Sequence, residues 1–349
     1  MRKGGASHAT EQAVVAGLAW LAEHQNRDGS WSFNHSAGDK CSGFPDPAKE
    51  KTKIGATGLA LSAFLVRGHW HLEPDKYAKT VKKGLIYLQE KMDHETGRLY
   101  ESNGGPRSHL FSHAMATSAL VEAYGLSYDK ELAPVAQKAV DYIVNASCHD
   151  GGWRYLPNEP SGDVSSTGWQ VMALKNAKLA NLKVPDEVYA QAMQFLDRIQ
   201  EGQESDGAKY RYMISGGQEG DNSSSAVALF CRTYLGWKKD HASLKEGMEY
   251  ISARGPDSTN MYFDYYATMF LYRVDGQRGE KWRKWNLAMR EQLIESQATK
   301  GGKHLIGSWH IPAGEEDRAA CIGDVGGRVF DTALAVMTLE VYYRCADDY

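Results

Sequence analysis

The sequence has few of the features that mark nucleic-acid-binding or membrane-spanning proteins. Its formal net charge is -4 and it has no run of basic residues, so electrostatic capture of nucleic acid or of an anionic membrane surface is not supported. Its apolar stretches, of which 58–66 is typical, fall far short of the roughly 20 residues that a membrane-spanning helix needs. We therefore expect no nucleic-acid partner and no membrane span.

Cysteine is also scarce, and no Cys-Xaa-Xaa-Cys pair occurs, which removes the commonest structural zinc and redox signatures. The residues at 1–5 lead into a helical pattern without the apolar core of a signal peptide. The sequence therefore predicts reduced thiols, no cofactor and a cytoplasmic location, unless an upstream segment is missing. The five cysteines, an odd number, are Cys41, Cys148, Cys231, Cys321 and Cys345.

A repeated segment is the strongest signal in the chain, because self-similarity at a fixed period marks repeat architectures. Each copy combines a helix end, a glycine turn and an aromatic residue. The two best copies are Leu21-Gln25-Asp28-Gly29-Trp31 and Ile143-Ser147-Asp150-Gly151-Trp153, which share one register. Four looser copies extend the series, and the closing aromatic residues are Trp31, Tyr100, Trp153, Tyr210, Tyr262 and Trp309.

An apolar helix rich in small residues follows each closing aromatic. Such helices should be buried on several sides, whereas the helices before each turn, such as 189–200 and 281–297, carry a charged stripe. Six outer helices can bury six inner ones if the array closes. We therefore predict an all-α, α6/α6 toroid in one domain, residues 1–349, with polar loops 36–53 and 201–221 as possible lids. The predicted inner helices span 55–67, 112–124, 165–179, 222–236, 263–273 and 330–343.

The repeat resembles the QW repeat of the terpene-cyclase and protein-prenyltransferase superfamily, which includes the squalene cyclases. The resemblance covers almost the whole chain and implies the toroid rather than an activity. It also implies that the repeated Gln and Trp residues tie outer helices to neighbouring turns, so we expect them to be structural and the tryptophans to be buried. These residues are Gln25, Trp31, Trp153, Gln297 and Trp309.

The acidic motif of the squalene cyclases is incomplete in this sequence. Those enzymes protonate an alkene with an Asp-Xaa-Asp-Asp motif at the start of an inner helix, and the closest match here is Asp163-Val164-Ser165-Ser166-Thr167. Ser165 stands where the resemblance places the proton donor, and a hydroxyl is too weak an acid for this step. Cyclisation is therefore disfavoured, and Asp163 or Ser165 has the position of a helix N-cap.

The zinc ligands of the prenyltransferases are also missing, because no Asp-Xaa-Cys occurs. His310, Cys321 and Asp324 form a looser group that could hold a metal or could be unrelated loop residues. The thioester motif of complement-like toroids, Gly-Cys-Gly-Glu-Gln, is absent from the sequence. We therefore predict no metal site.

A toroid gathers the starts of its inner helices around one funnel, where carboxylates, aromatic rings and a guanidinium would form a binding cleft. Each of these residues also has a structural interpretation: a satisfied histidine for His113, core packing for the tyrosines, and helix capping for Asp264 and Asp331. The candidate ligand-binding residues are His113, Asp163, Ser165, Trp169, Asp221, Tyr262, Asp264, Tyr265, Arg328 and Asp331, with Ser166 and Tyr266 beside them.

Three functions remain open. The favoured one is a non-cyclising toroid that binds a small molecule, lipid or peptide in the funnel. The second is a divergent isoprenoid cyclase or transferase, which apolar funnel walls would favour. The third is a lyase or hydrolase that acts on a polar substrate through Asp264, Asp331, His113 or Arg328, which two neighbouring carboxylates would favour.

Overall fold

The computed structural model describes residues 7–35, 48, 51–101, 105, 108–202, 207–215, 220–311 and 322–344. Within these ranges every regular element is a helix. The outer helices are α1 (His8–Glu23), α3 (Ala78–Lys91), α5 (Leu132–Asn145), α7 (Asp186–Ile199), α9 (Ala242–Arg254) and α11 (Glu280–Ser296). The inner helices are α2 (Lys53–Val66), α4 (His109–Ser127), α6 (Val164–Leu179), α8 (Asn222–Tyr234), α10 (Met261–Asp275) and α12 (Ile322–Leu339), and a short α13 (Val341–Arg344) follows.

The two sets of helices differ in how much of their surface is covered. In α2 every residue from Ile54 to Leu65 is buried. In α7 the buried residues form one stripe, Val188, Ala192, Phe195, Leu196 and Ile199. This spacing places one apolar face against the inner ring and leaves the other faces polar. The inner helices therefore form the core, as their composition predicts.

The ring of inner helices is closed. Each contacts the next in chain order, α12 contacts α2, and the first outer helix packs against both α11 and α12. Across this junction the Gln297 side chain donates to the Ala13 carbonyl at 2.9 Å, and Arg67 pairs with Glu340 and Glu11. The predicted α6/α6 toroid is therefore confirmed.

The predicted inner helices agree with the structure to within a few residues except at the start of α12. That helix contains a break at Gly327, whose φ of 60° and ψ of -161° are not helical. The helix after this break begins at Arg328, two residues before the predicted start at 330, whereas α12 as a whole begins eight residues before it, at Ile322. Only glycine adopts such a backbone conformation readily, so this position fixes where the last inner helix begins.

The glycine turns explain why the repeat keeps its register. Gly151 has φ +89°, and a Cβ placed on it would lie 2.3 Å from the Gln191 carbonyl oxygen of the next outer helix. Both observations require glycine, because a side chain would strain the backbone and collide with a carbonyl. The same close approach recurs at Gly29, Gly97 and Gly307.

The side chains of the three predicted tryptophans pack on the inner side of these turns. Trp31, Trp153 and Trp309 are completely buried. Their indole N–H groups donate to the carbonyls of Leu21, Ile143 and Leu293 at the ends of the preceding outer helices. The predicted burial is therefore confirmed.

A second set of contacts ties each turn to the inner helix that follows, and we call these contacts the seam. At each one, a side chain on the inner helix accepts a hydrogen bond from a backbone N–H of the turn. The seam acceptors are Thr57, His113, Thr167, Ser225, Asp264 and Thr332, and the donors are the N–H groups of Trp31, Leu99, Trp153, Tyr210, Asp257 and Trp309.

Two predicted closing residues are therefore wrong. Leu99, not Tyr100, holds the second turn, and Asp257, not Tyr262, holds the fifth, while Tyr262 lies within α10. The reason is that a backbone N–H makes the contact, so the turn does not require an aromatic side chain.

Candidate functional site

The N-terminal ends of the inner helices meet at one end of the toroid, which we call the mouth. Neighbouring helices hydrogen-bond there: Asn260 donates to the Ser223 hydroxyl at 3.0 Å, and the Tyr262 hydroxyl donates to the Ser165 carbonyl at 3.2 Å. Both contacts join first turns of inner helices. The mouth between α6, α8 and α10 therefore brings together the predicted residues Asp163, Ser165 and Tyr262.

Asp163 is the N-cap of α6 and is completely buried. One carboxylate oxygen accepts from the Ser166 N–H at 2.7 Å, and the other accepts from the Ser166 hydroxyl at 3.0 Å. Burial raises the pKa of Asp163 to about 6, although hydrogen bonds from Ser166 and Tyr212 and the nearby Arg154 oppose that rise. The carboxyl is therefore held by its own helix while it can change charge near neutral pH.

A chain of tyrosine hydroxyls leads outward from Asp163. Tyr212 is near enough to the Asp163 carboxyl to lower its pKa, and its hydroxyl lies 3.1 Å from that of Tyr155. Both tyrosines are half-buried. Burial, with the Asp163 carboxylate adding to it, raises the pKa of Tyr212, so this phenol stays protonated. The chain connects a buried carboxyl with the surface of the mouth.

Tyr155 and Tyr212 are not among the predicted site residues, although the repeat contains a signal for them. Each stands two residues after a closing aromatic, in the matched triplets Trp153-Arg154-Tyr155 and Tyr210-Arg211-Tyr212. Their backbone carbonyls accept from Leu110 and Val164 at the starts of the preceding inner helices. The position two after each turn thus faces the mouth.

Below the mouth, an aromatic cluster lies inside the ring. Trp169 of α6 stacks on Tyr265 of α10 with ring centroids 6.1 Å apart, and Tyr266 meets Trp169 edge-on at 6.0 Å. Because α8 separates α6 from α10 in the ring, these contacts cross the interior. All three predicted residues are buried, and the Trp169 indole N–H has no hydrogen-bond partner among the described residues.

His113 and Asp264 lie elsewhere, in the seam. His113 accepts from the Leu99 N–H at 3.1 Å, and its other ring nitrogen lies 3.0 Å from the Ala139 carbonyl, so that nitrogen carries the proton. Asp264 accepts from the Asp257 N–H and from the Gln292 side chain, each at 2.8 Å. Both side chains join helices and turns rather than line the mouth.

Burial shifts the pKa values of these two seam groups in opposite directions. It lowers the pKa of His113 to about 4 and raises that of Asp264 to about 8, because the uncharged form is favoured in each case. Asp221, by contrast, is an exposed N-cap of α8 that accepts from the Ser224 N–H at 2.6 Å.

Arg328 and Asp331 lie at the start of α12, on the opposite side of the ring from α6. Arg328 donates to the Ser308 hydroxyl at 3.1 Å. Asp331 is completely buried, accepts from the Ile311 N–H at 3.0 Å, and lies 3.5 Å from His310. Burial raises the pKa of Asp331, while His310 and Arg328 oppose that rise. These side chains form a second polar group at the mouth.

No arrangement of three or more His, Cys, Asp or Glu side chains suited to a metal ion occurs in the described ranges. Cys321 and Asp324 were the predicted neighbours of His310 in a loose metal-binding group. Residue Cys321 and the side chain of Asp324 lie outside the part of the chain that the structure describes. Cys148 and Cys231 are buried free thiols. None of the helices within the described ranges is long and apolar enough to cross a bilayer.

No family model and no curated protein matches this sequence. Solved structures do match its fold. An α-1,6-mannanase, GH76A of Salegentibacter sp. HEL1_6 in complex with α-1,6-mannotriose, superposes with a TM-score of 0.64 and 10% identity over 96% of this chain and 99% of that one. An α-amylase from Clostridium perfringens gives 0.63 and 12% identity over 95% and 97%.

A third similar structure is the type II terpene cyclase MstE from Scytonema in complex with merosterolic acid A, with a TM-score of 0.60 and 13% identity over 97% of this chain and 98% of that one. At these identities the likeness shows the fold alone. The chain thus has the α/α toroid fold that terpene cyclases and GH76 mannanases share, as its resemblance to the cyclase superfamily implies.

Proposed function

We propose that this toroid binds a small ligand at the mouth between α6, α8 and α10 and does not cyclise isoprenoids. The observation that carries the proposal is the group formed by Asp163, Tyr212 and Tyr262 beside the half-buried Ser165. It brings aromatic rings, hydroxyls and a titratable carboxyl together, which is the usual composition of a ligand site.

The hydrogen bonds of Asp163 argue against cyclisation. An alkene is protonated by a carboxylic acid whose proton points into a dry cavity. Here both carboxylate oxygens accept hydrogen bonds from Ser166. Ser165 supplies only a hydroxyl beside it. Asp163 therefore supports α6 and the mouth instead of donating a proton to a hydrocarbon.

A hydrolase or lyase is the second candidate, and the pair of His310 and Asp331 favours it. A buried carboxyl 3.5 Å from an imidazole, with Arg328 nearby, could move a proton and hold an anion. Asp331→Asn would remove the carboxylate with little change of shape. Release of reducing sugars from a panel of polysaccharides by the native protein, and not by this variant, would favour hydrolysis over binding alone.

Native mass spectrometry of the purified protein tests the binding proposal. We expect a bound small molecule in the wild-type spectrum and its loss in Ser165→Trp, because an indole at the first turn of α6 would fill the mouth. Ala253→Trp, on the exposed face of outer helix α9, is the matched control and should keep the molecule. A molecule retained in both variants, or no adduct in any spectrum, would contradict binding at this mouth.

A further inference from the structure

The polar groups of the mouth both donate and accept hydrogen bonds. Tyr155 and Tyr212 present phenol hydroxyls, and Ser165 and Ser223 present aliphatic hydroxyls, on side chains that are half-buried. Hydroxyls can both give and receive hydrogen bonds. Such a set matches a ligand with several hydroxyl groups better than a hydrocarbon chain, which would leave these groups unpaired.

The cations near the mouth already have partners. The Arg154 guanidinium lies 3.6 Å from Glu159 and covers the ring of Tyr155 at 5.3 Å. Arg211 donates to the Arg198 carbonyl. The Asp221 carboxylate is exposed at this part of the mouth, so the electrostatics there do not favour a phosphate or carboxylate ligand.

One aromatic ring is placed to stack on a ligand. Tyr155 has Phe111 at 6.4 Å on one side and Arg154 over its ring. In the described ranges, no aromatic ring or cation contacts the ring of Tyr212, which is half-buried and held by hydrogen bonds at its hydroxyl. An aromatic face beside hydroxyl groups fits the apolar C–H face and the polar edge of a sugar ring.

We propose that the ligand of this mouth is a neutral carbohydrate, whose ring stacks on Tyr212 while its hydroxyls bond to the hydroxyl of Ser165. This inference rests on the proposed ligand-binding function and adds the ligand class.

Isothermal titration calorimetry with maltotriose, cellotriose, α-1,6-mannotriose and geranylgeraniol tests the inference. We expect at least one trisaccharide to bind and geranylgeraniol not to bind. Tyr212→Phe removes one hydroxyl and should weaken binding up to about tenfold, and Tyr212→Ala should weaken it further because the ring is lost. Ser165→Ala, a small change at the helix surface, probes the same site independently of Tyr212.

The control is Tyr189→Phe, because Tyr189 is also half-buried but bonds to Leu174 on the outer side of the ring. It should leave affinity unchanged. Trisaccharide binding that survives Tyr212→Ala and Ser165→Ala would overturn this site. Binding of geranylgeraniol alone, lost in Ser165→Trp, would overturn the carbohydrate inference and leave the proposed function standing, whereas no binding of any probe would contradict both.

Discussion

Asp163 and Asp264 look alike in the sequence but lie in different parts of the toroid. Both are buried aspartates near the start of an inner helix. Asp163 is the N-cap of α6 and lies at the mouth, whereas Asp264 lies four residues after the N-cap Asn260 and bonds to a turn and an outer helix. The difference shows that the distance of a polar residue from the N-cap decides whether its side chain lies at the mouth or bonds to a turn in the seam.

This comparison separates stability from binding. Seam side chains satisfy backbone N–H groups that would otherwise be buried without partners, so their loss should lower the free energy of unfolding. The mouth side chains of Tyr155, Ser165 and Tyr212 are half-buried, so their loss should change ligand binding more than stability. The predictions below test that division.

The largest effect is expected for Trp309→Ala. The indole is completely buried and donates to the Leu293 carbonyl. Removing it should lower the free energy of unfolding by roughly 3–5 kcal/mol, measured by urea denaturation. Trp237→Ala, a partly buried tryptophan at the end of α8, is the comparison and should cost less. Equal, small losses in both would show that the repeated tryptophans do not hold the hairpins together.

Asp264→Ala should have the next largest effect. It leaves the Asp257 N–H and the Gln292 amide without their acceptor, and we expect a loss of roughly 1–3 kcal/mol. Asp264→Asn should cost less, because an asparagine oxygen can accept from Asp257 while the Gln292 amide turns over. If the two variants unfold at the same urea concentration, the hydrogen bonds of this seam position do not matter.

The pH dependence of stability should distinguish the two kinds of seam group. Asp264 has a folded pKa of about 8 against an ordinary 3.8, so its contribution is complete below about pH 3.8 and is lost as pH rises through 8. His113 has a folded pKa of about 4 against 6.5, so its contribution is present above pH 6.5 and is lost as pH falls towards 4.

Asp264→Asn isolates the first of these effects. Relative to wild type, its free energy of unfolding should rise steadily between pH 4 and pH 8, because only the wild type loses stability as Asp264 ionises. Chemical denaturation at several pH values measures this difference. A difference that is constant over that range would mean that Asp264 does not titrate with a raised pKa.

Tyr212→Phe should have the smallest effect on stability. It removes a half-buried hydroxyl from the mouth and should cost no more than about 1 kcal/mol, although it weakens ligand binding. Thermal denaturation of the ligand-free protein checks the first part. If the free energy of unfolding fell as much as in Asp264→Ala, Tyr212 would be a structural residue. The separation of stability in the seam from binding at the mouth would then fail.

The toroid could be predicted because several independent features of the sequence indicate the same fold. Glycines such as Gly151 fix the turns, buried tryptophans such as Trp153 close them, and apolar periodicity distinguishes inner helices from outer ones. Since these signals recur along the chain, an error in one copy does not change the fold. Tyr100 and Tyr262 show this, because the ring closes although neither residue closes a turn.

The site could be predicted only in part, because it depends on helix starts to the nearest residue. Successive helical side chains point about 100° apart, so the sequence located Asp264 near the mouth but could not tell which way it faces. Tyr212 was missed for a related reason: it belongs to a turn, and only the structure shows that it lies near Asp163. His113 is a second example, because its angular position on α4 directs its side chain to the seam.

Incubation of the purified protein with squalene, followed by gas chromatography, tests most directly the claim that this toroid binds without cyclising. We expect no polycyclic product from the wild type, since Asp163 is held by Ser166 and the Ser165 hydroxyl cannot protonate an alkene. A polycyclic product that disappears in Asp163→Asn or Asp331→Asn would contradict the account and make the protein an isoprenoid cyclase.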